Sequence, residues 1–127
     1  MKKCGLLNGD ILGAIAKLGH TQTLAIADAG LPIPSNVPCI DISLIAGIPS
    51  FQDVLKAVCN ELVIESYTIA QEATVVQDWV NEALPNIQHN EIPHENFKKF
   101  LEHCTCIIRT GETTPYANII LTGGVNF

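Results

Sequence analysis

The stretch Cys104-Thr105-Cys106-Ile107-Ile108-Arg109-Thr110-Gly111-Glu112-Thr113-Thr114-Pro115-Tyr116-Ala117-Asn118-Ile119-Ile120-Leu121 sets a dense polar run between two short apolar segments. The apolar segments, Cys104–Ile108 and Ile119–Leu121, read as strands bounded by turn residues. The ten residues between them carry a cation, a carboxylate, a phenol, a carboxamide and three hydroxyls. A polar loop between two core strands is positioned rigidly, which suits binding more than solvation. Its donors and acceptors match a hydroxyl-rich ligand such as a sugar.

Outward from this stretch, helical and strand patterns interleave. Asn8 is a plausible N-cap for a first helix whose Ile11, Leu12, Ile15, Ala16 and Leu18 follow helical spacing, with Gly19 as its stop. Thr23–Ala27 is a short apolar strand ending at Asp28. Two prolines make 31–36 a loop. Cys39–Ile45 reads as a strand. Pro49-Ser50 introduces a second helix that places Phe51, Val54, Leu55, Val58 and Leu62 on one side. Val63–Ala70 is β-rich, Ala73–Leu84 is an amphipathic helix ended by Pro85, and Asn86–His89 is a short strand. Glu95–Cys104 is a helix entered through Pro93. This alternation predicts an α/β fold: one layered α/β/α domain over residues 1–127 with a mixed, mostly parallel β-sheet. In such sheets ligands bind beyond strand ends. His20, Asp28 and the 109–118 loop all fall at element ends, consistent with one site.

Composition excludes several function classes. Thirteen acidic residues against seven basic ones leave a net charge of −6, with no basic cluster beyond Lys2-Lys3 or Lys98-Lys99. A phosphate-tracking surface needs many cations, so neither nucleic acid nor an anionic membrane is an expected partner. No run approaches the roughly 20 apolar residues that span a bilayer, and the N-terminus lacks a signal-peptide core. A cytoplasmic location and no membrane insertion are expected. The hydrophobic fraction is 47% and the charged fraction 16%, which points to apolar surface buried between subunits, or to a monomer with a neutral polar surface. The five cysteines are odd in number and show no C-x-x-C spacing, so buried free thiols are expected, with no metal site. Cys104 and Cys106 alternate and should face one side of a sheet. There is no GxGxxG, P-loop or nucleophile-elbow motif.

Several residues have the chemistry of a sugar site. His20 follows a helix end, where the dipole stabilises imidazolium; it is either an acid–base group or a cap on backbone carbonyls. Asp28 either binds sugar hydroxyls, or orients His20, or closes a turn onto its own backbone before Gly30. His94 stands at a helix start, which favours a neutral imidazole able to bind a hydroxyl, unless it is merely exposed. Tyr116 and Asn118 would point to one side if the last strand begins by 116. Arg109 and Glu112 either pair with each other or shape the loop. His89 and His103 read as surface or structural.

The order Leu18-Gly19-His20, Asp28-Ala29-Gly30-Leu31-Pro32, Phe51-Gln52-Asp53, His94-Glu95-x-Phe97 and Arg109-Thr110-Gly111-Glu112-x-x-Pro115-Tyr116-Ala117-Asn118 resembles the D-ribose pyranase family from end to end. Lys3-x-Gly5-x-Leu7-Asn8 and Gly124-Val125-x-Phe127 fit the same pattern. The related fucose mutarotases share the Gly-His, Asp-Ala and Thr-Gly-Glu…Tyr-x-Asn elements but typically carry His after Asp-Ala, so Gly30 favours the ribose branch. Pro93 departs from the pattern, where relatives often have a small polar residue. The resemblance implies a mutarotase that interconverts pyranose and furanose forms of D-ribose. It implies His20 as proton donor and Asp28, His94, Tyr116, Ala117 and Asn118 as sugar-binding positions. It also implies no metal or organic cofactor, and a homo-oligomer of eight or ten chains with sites near subunit boundaries. A non-catalytic ribose-binding protein associated with a sugar transporter is the alternative.

Overall fold

Four consecutive residues of the first strand show how the layers form. Leu24 and Ile26 of β1 (Thr23–Ala27) pack into one apolar cluster, while Ala25 and Ala27 pack into another. Successive side chains of a strand leave on opposite faces, so a strand that is apolar at every position must be covered on both sides. The same split recurs in β5 (Cys106–Arg109), where Cys106 and Ile108 oppose Ile107, and in β6 (Ile119–Gly123), where Ile119 and Leu121 oppose Ile120.

The computed structural model describes residues 1–127 and arranges six strands in the order β2-β5-β1-β6-β3-β4. Here β2 is Cys39–Asp41, β3 is Ile64–Ala70 and β4 is Gln88–Ile92. Pairings β2–β5, β5–β1 and β3–β4 are parallel, whereas β6 runs antiparallel to both of its neighbours. The sheet is therefore mixed and mostly parallel, as the sequence predicts. Helices α1 (Gly9–Lys17), α2 (Phe51–Cys59) and α3 (Thr74–Ala83) feed Ile11, Phe51, Val54, Leu55, Val58, Val76 and Val80 into the larger cluster. Phe97 of α4 (His94–Phe100) and Leu101 of the following 3-10 turn fill the smaller one with Leu31 and Val37. Side-chain caps open two of the helices: Ile11 N–H donates to Asn8 Oδ1 at 3.0 Å and Asp53 N–H to Ser50 Oγ at 3.1 Å. Each such cap satisfies an otherwise orphaned amide.

Some boundaries differ from the sequence reading. The first helix ends at Lys17, with Leu18 already extended, so Gly19 does not supply a left-handed stop; its N–H instead donates to Gln22 Oε1 at 2.7 Å. The second strand stops at Asp41, because the Asp41 carboxylate accepts Ser43 N–H and turns the chain. The fourth strand runs two residues later than expected, since Asn86 takes a left-handed φ of 63° before it. The fourth helix closes at Phe100 into the 3-10 turn. Cys104 and Cys106 lie in different clusters, because β5 begins only at Cys106. All five cysteines are free, but Cys4 and Cys39 are exposed rather than buried. Burial pushes the Cys59 and Cys106 thiols up to about 11, which keeps them protonated and inert. No helix is long and apolar enough to cross a membrane.

Candidate functional site

The buried polar residues of the chain are Thr110, Glu112 and Asn118, at 0%, 9% and 1% exposure, all in one loop. Burying a polar group costs free energy unless its hydrogen bonds are made, so each must have partners. Thr110 Oγ1 donates to the Ala27 carbonyl at 2.8 Å and accepts Glu112 N–H at 3.1 Å. The Glu112 carbonyl accepts Ala29 N–H at 2.9 Å. Its carboxylate accepts Phe51 N–H at 3.0 Å on one oxygen, and Thr113 N–H, Thr114 N–H and Thr114 Oγ1 at 3.1–3.3 Å on the other. One residue thus ties together the start of α2 and the loop through its carboxylate, and the turn after β1 through its carbonyl. Glu112 shapes the loop, as one expected alternative held. It does not pair with Arg109, which reaches Asp41 at 3.5 Å. Gly111 is required by contact as well: a Cβ there would overlap the Ile48 carbonyl oxygen and stand 2.6 Å from that of Ile45.

Burial pushes the Glu112 carboxyl up, but the hydrogen bonds from Phe51, Thr114 and Thr113 outweigh it and hold the group below its ordinary value. A carboxylate depressed in the folded state stabilises the fold above its unfolded pKa, and that contribution is lost as pH falls through the folded one. Replacing Glu112 by Gln leaves one acceptor and turns an NH2 toward amide donors. We expect Glu112→Gln to lower stability at neutral pH by about 1–3 kcal/mol, the cost of unpaired buried groups. Urea titrations at several pH values should show the wild type losing stability below about pH 4.5, the group's unperturbed value, and the variant losing less. Parallel pH profiles for the two proteins would contradict this.

The Asn118 carboxamide faces Asp28 across the end of the sheet. Asp28 N–H donates to Asn118 Oδ1 at 2.7 Å, and Asn118 Nδ2 donates to Asp28 Oδ2 at 2.8 Å. This double bond pattern fixes the amide orientation, since a flipped group would oppose two donors and two acceptors. Asp28 Oδ1 also accepts Gly30 N–H at 2.9 Å. Of the expected roles of Asp28, the structure shows the closing of its own turn; a carboxylate offers about four acceptor directions, and the Gly30 and Asn118 amides leave some of them unused. Tyr116 reaches the same corner by a different route from the one expected. The last strand begins at Ile119, so strand alternation does not align Tyr116 with Asn118. Instead Tyr116 has φ 62° and its carbonyl accepts Asn118 N–H at 2.8 Å. A left-handed tyrosine is uncommon, and such strain collects at binding sites. Ala117 between them is fully buried.

His94 completes this corner. Its ring stands edge-on to Tyr116 with centroids 5.0 Å apart and lies nearly parallel to Phe97 at 6.3 Å. Pro93 offers no side-chain cap to α4; Glu72 does so from afar, taking His94 N–H at 2.8 Å. Nδ1 of His94 is buried without a protein partner, a free site for a ligand hydroxyl. Lys98, on the same helix, is occupied by Glu95 at 2.8 Å. His89 stacks on Tyr67 at 5.0 Å, a structural contact.

His20 is not in this corner. Asp28 follows the carboxyl end of β1, whereas His20 precedes its amino end. The five residues of that strand alone separate the two by about 13 Å, and Asp28 does not orient His20. The imidazole instead meets Glu65 of β3, with Nε2 3.3 Å from Oε1 and both side chains half exposed. The end of the sheet at which β1 finishes thus carries Asp28, His94, Tyr116 and Asn118, and the opposite end, at which β1 starts, carries His20. Glu65, Glu72 and Thr110 were not singled out from the sequence. Their partners lie 45, 22 and 83 residues away, so only Thr110, inside the polar run, carried any local signal. No group of three His, Cys, Asp or Glu side chains is placed to hold a metal ion.

The model of the RbsD / FucU transport protein family matches residues 1–126. The chain belongs to that family. Among RbsD / FucU relatives, the D-ribose pyranase of Cutibacterium acnes is 47% identical over 129 residues that cover both chains completely. The solved RbsD of Bacillus subtilis, complexed with D-ribose, is 40% identical, covers both chains fully and superposes with a TM-score of 0.95. A fucose mutarotase from Streptococcus pneumoniae in complex with L-fucose shares the fold at TM-score 0.78 and 20% identity over 94% of each chain.

Proposed function

We propose that this chain is a D-ribose pyranase, a sugar isomerase that interconverts pyranose and furanose forms of D-ribose, acting as one domain over residues 1–127. The observation that carries the reading is the full-length 47% identity to a D-ribose pyranase, joined to a corner whose groups suit a polyol. The chemistry requires little. An acid protonates the ring oxygen, the anomeric hydroxyl gives up its proton, and the opened sugar recloses through another hydroxyl. One positioned acid–base group supplies about 10²–10⁴-fold. His20 is the acid in this scheme. Asp28, His94, Tyr116, the Ala117 backbone and Asn118 hold the hydroxyls. The two inert thiols have no part in it, and no metal or cofactor is required.

Two ends of one sheet cannot close on one sugar, so the scheme needs His20 from a second chain. Exposed Leu44, Ile45, Ile48 and Phe100 are apolar surface of the kind that subunit contacts cover. A closed ring of eight or ten chains, in which each chain lends its His20 end and borrows a neighbour's Asn118 end, meets both needs.

The deciding experiment is NMR magnetisation transfer between ribose forms. Catalytic amounts of protein should accelerate pyranose–furanose exchange; saturable binding with unchanged exchange would make this a ribose-binding protein instead. Recognition has its own test. Asn118→Ala removes both bonds that hold Asp28, and calorimetry should show ribose binding weakened by about 1–3 kcal/mol. An unchanged dissociation constant would place Asn118 outside the site.

A further inference from the structure

Glu65 owes its position to an irregularity in the sheet. In the β3–β6 ladder Ile64 pairs with Gly123 and Ser66 with Thr122, so two steps on β3 match one step on β6 and Glu65 is the extra residue. A bulge of this kind re-aims the side chain it carries. Gly124 packs beside it: a Cβ there would stand 3.2 Å from Val63 Cγ1 and 3.4 Å from both Glu65 Cβ and Glu65 N. The His20 turn is fastened to the same place. Thr21 N–H donates to the Gly123 carbonyl at 2.9 Å, Gly123 N–H donates to the Gln22 carbonyl at 2.9 Å, and Thr21 is held at φ 67°. A β-branched residue in the left-handed region is strained, and the surrounding bonds must hold it there. A bulge and a strained turn, both anchored on Gly123, bring the carboxylate and the imidazole together.

We propose that Glu65 is the positioning residue for His20, holding Nε2–H so that Nδ1 is the nitrogen presented to the sugar. This rests on His20 being the proton donor. A carboxylate on one ring nitrogen sets which nitrogen carries the proton when the ring is neutral, and it fixes the ring's orientation. In the reaction the Nδ1 proton of the imidazolium passes to the ring oxygen as the bond from that oxygen to the anomeric carbon breaks. The anomeric hydroxyl releases its proton to water, and the ring is left as the Nε2–H tautomer that Glu65 accepts. On reclosure the attacking hydroxyl gives its proton to Nδ1, and the carbonyl oxygen takes back a proton from water as the new ring bond forms.

The test has two readouts. Nitrogen-15 NMR of the imidazoles in sugar-free wild-type protein should show neutral His20 protonated on Nε2; the Nδ1–H form there overturns the proposal without any variant. In magnetisation transfer, Glu65→Ala should lower kcat by about tenfold to a hundredfold, the size of loss that follows removal of the outer partner of a metal-bound histidine, with KM little changed and the tautomer preference lost. Glu65→Gln, whose amide oxygen still accepts, should recover most of that rate. An unchanged kcat in Glu65→Ala, or a raised KM at constant kcat, overturns the positioning role. His20→Ala run alongside separates the two ideas: if it keeps wild-type exchange, the reading of His20 fails, whereas a loss there with no effect of Glu65→Ala removes only Glu65.

Discussion

His20→Ala should slow pyranose–furanose exchange of ribose by at least about 10²-fold, the lower range for one acid–base group. Sugar affinity should fall far less, because the groups proposed to bind the hydroxyls sit at the other end of β1 and keep their partners. The fold should be unaffected as well, since the imidazole is half exposed and its hydrogen bond goes to the half-exposed Glu65. The measurement is magnetisation transfer at saturating ribose, with circular dichroism to confirm folding. Wild-type exchange in a folded His20→Ala protein would remove His20 from the mechanism.

The second large effect is a gain. His20 and Asn118 lie at opposite ends of the sheet, so in the proposed ring an intact site takes one from each of two chains. At ribose concentrations well below saturation, His20→Ala should be nearly inactive for want of its acid and Asn118→Ala strongly impaired for want of binding. Dissociated, mixed in equal amounts and reassembled, they should regain about one quarter of wild-type activity, the statistical share of boundaries at which an intact His20 end meets an intact Asn118 end. Native mass spectrometry establishes that mixed assemblies have formed. Mixed assemblies without recovered activity would place both residues of each site in one chain, and a monomer at working concentrations would end the assembly argument.

The sequence made the sheet legible because burial on both faces leaves an uninterrupted apolar run. Thr23–Ala27 and 119–121 could hardly be anything else. The caps at Asn8 and Ser50 were legible because a polar residue just before an apolar stripe has a local job. What stayed hidden depends on long-range pairing. Gly19 looked like a helix stop, but Gln22 holds its amide and the chain leaves the helix one residue earlier. Tyr116 and Asn118 were expected together for a strand-alternation reason; a left-handed turn joins them instead. Asp28 and His20, eight positions apart, read as neighbours in one site. Only the direction of β1 reveals that they are placed at opposite ends of the sheet. The acidic partners Glu65 and Glu72 had no signature, because nothing in the residues around them names a histidine 45 or 22 positions away.

The reversed direction of β6 has a mechanical meaning. Asn118 enters the strand at one end, and Gly123 leaves it at the other while gripping the His20 turn. The strand therefore works as a gauge, holding the His20 end and the Asn118 end of each chain at a set spacing and a set tilt. If copies join end to end, that tilt is repeated at every joint, and it decides after how many copies the circle shuts. A residue inserted within 119–123 would lengthen the gauge and also turn each later side chain to the wrong face. Chains with altered gauges would mismatch their neighbours before any sugar arrived, so the count of copies and the fit of the site would have to change together.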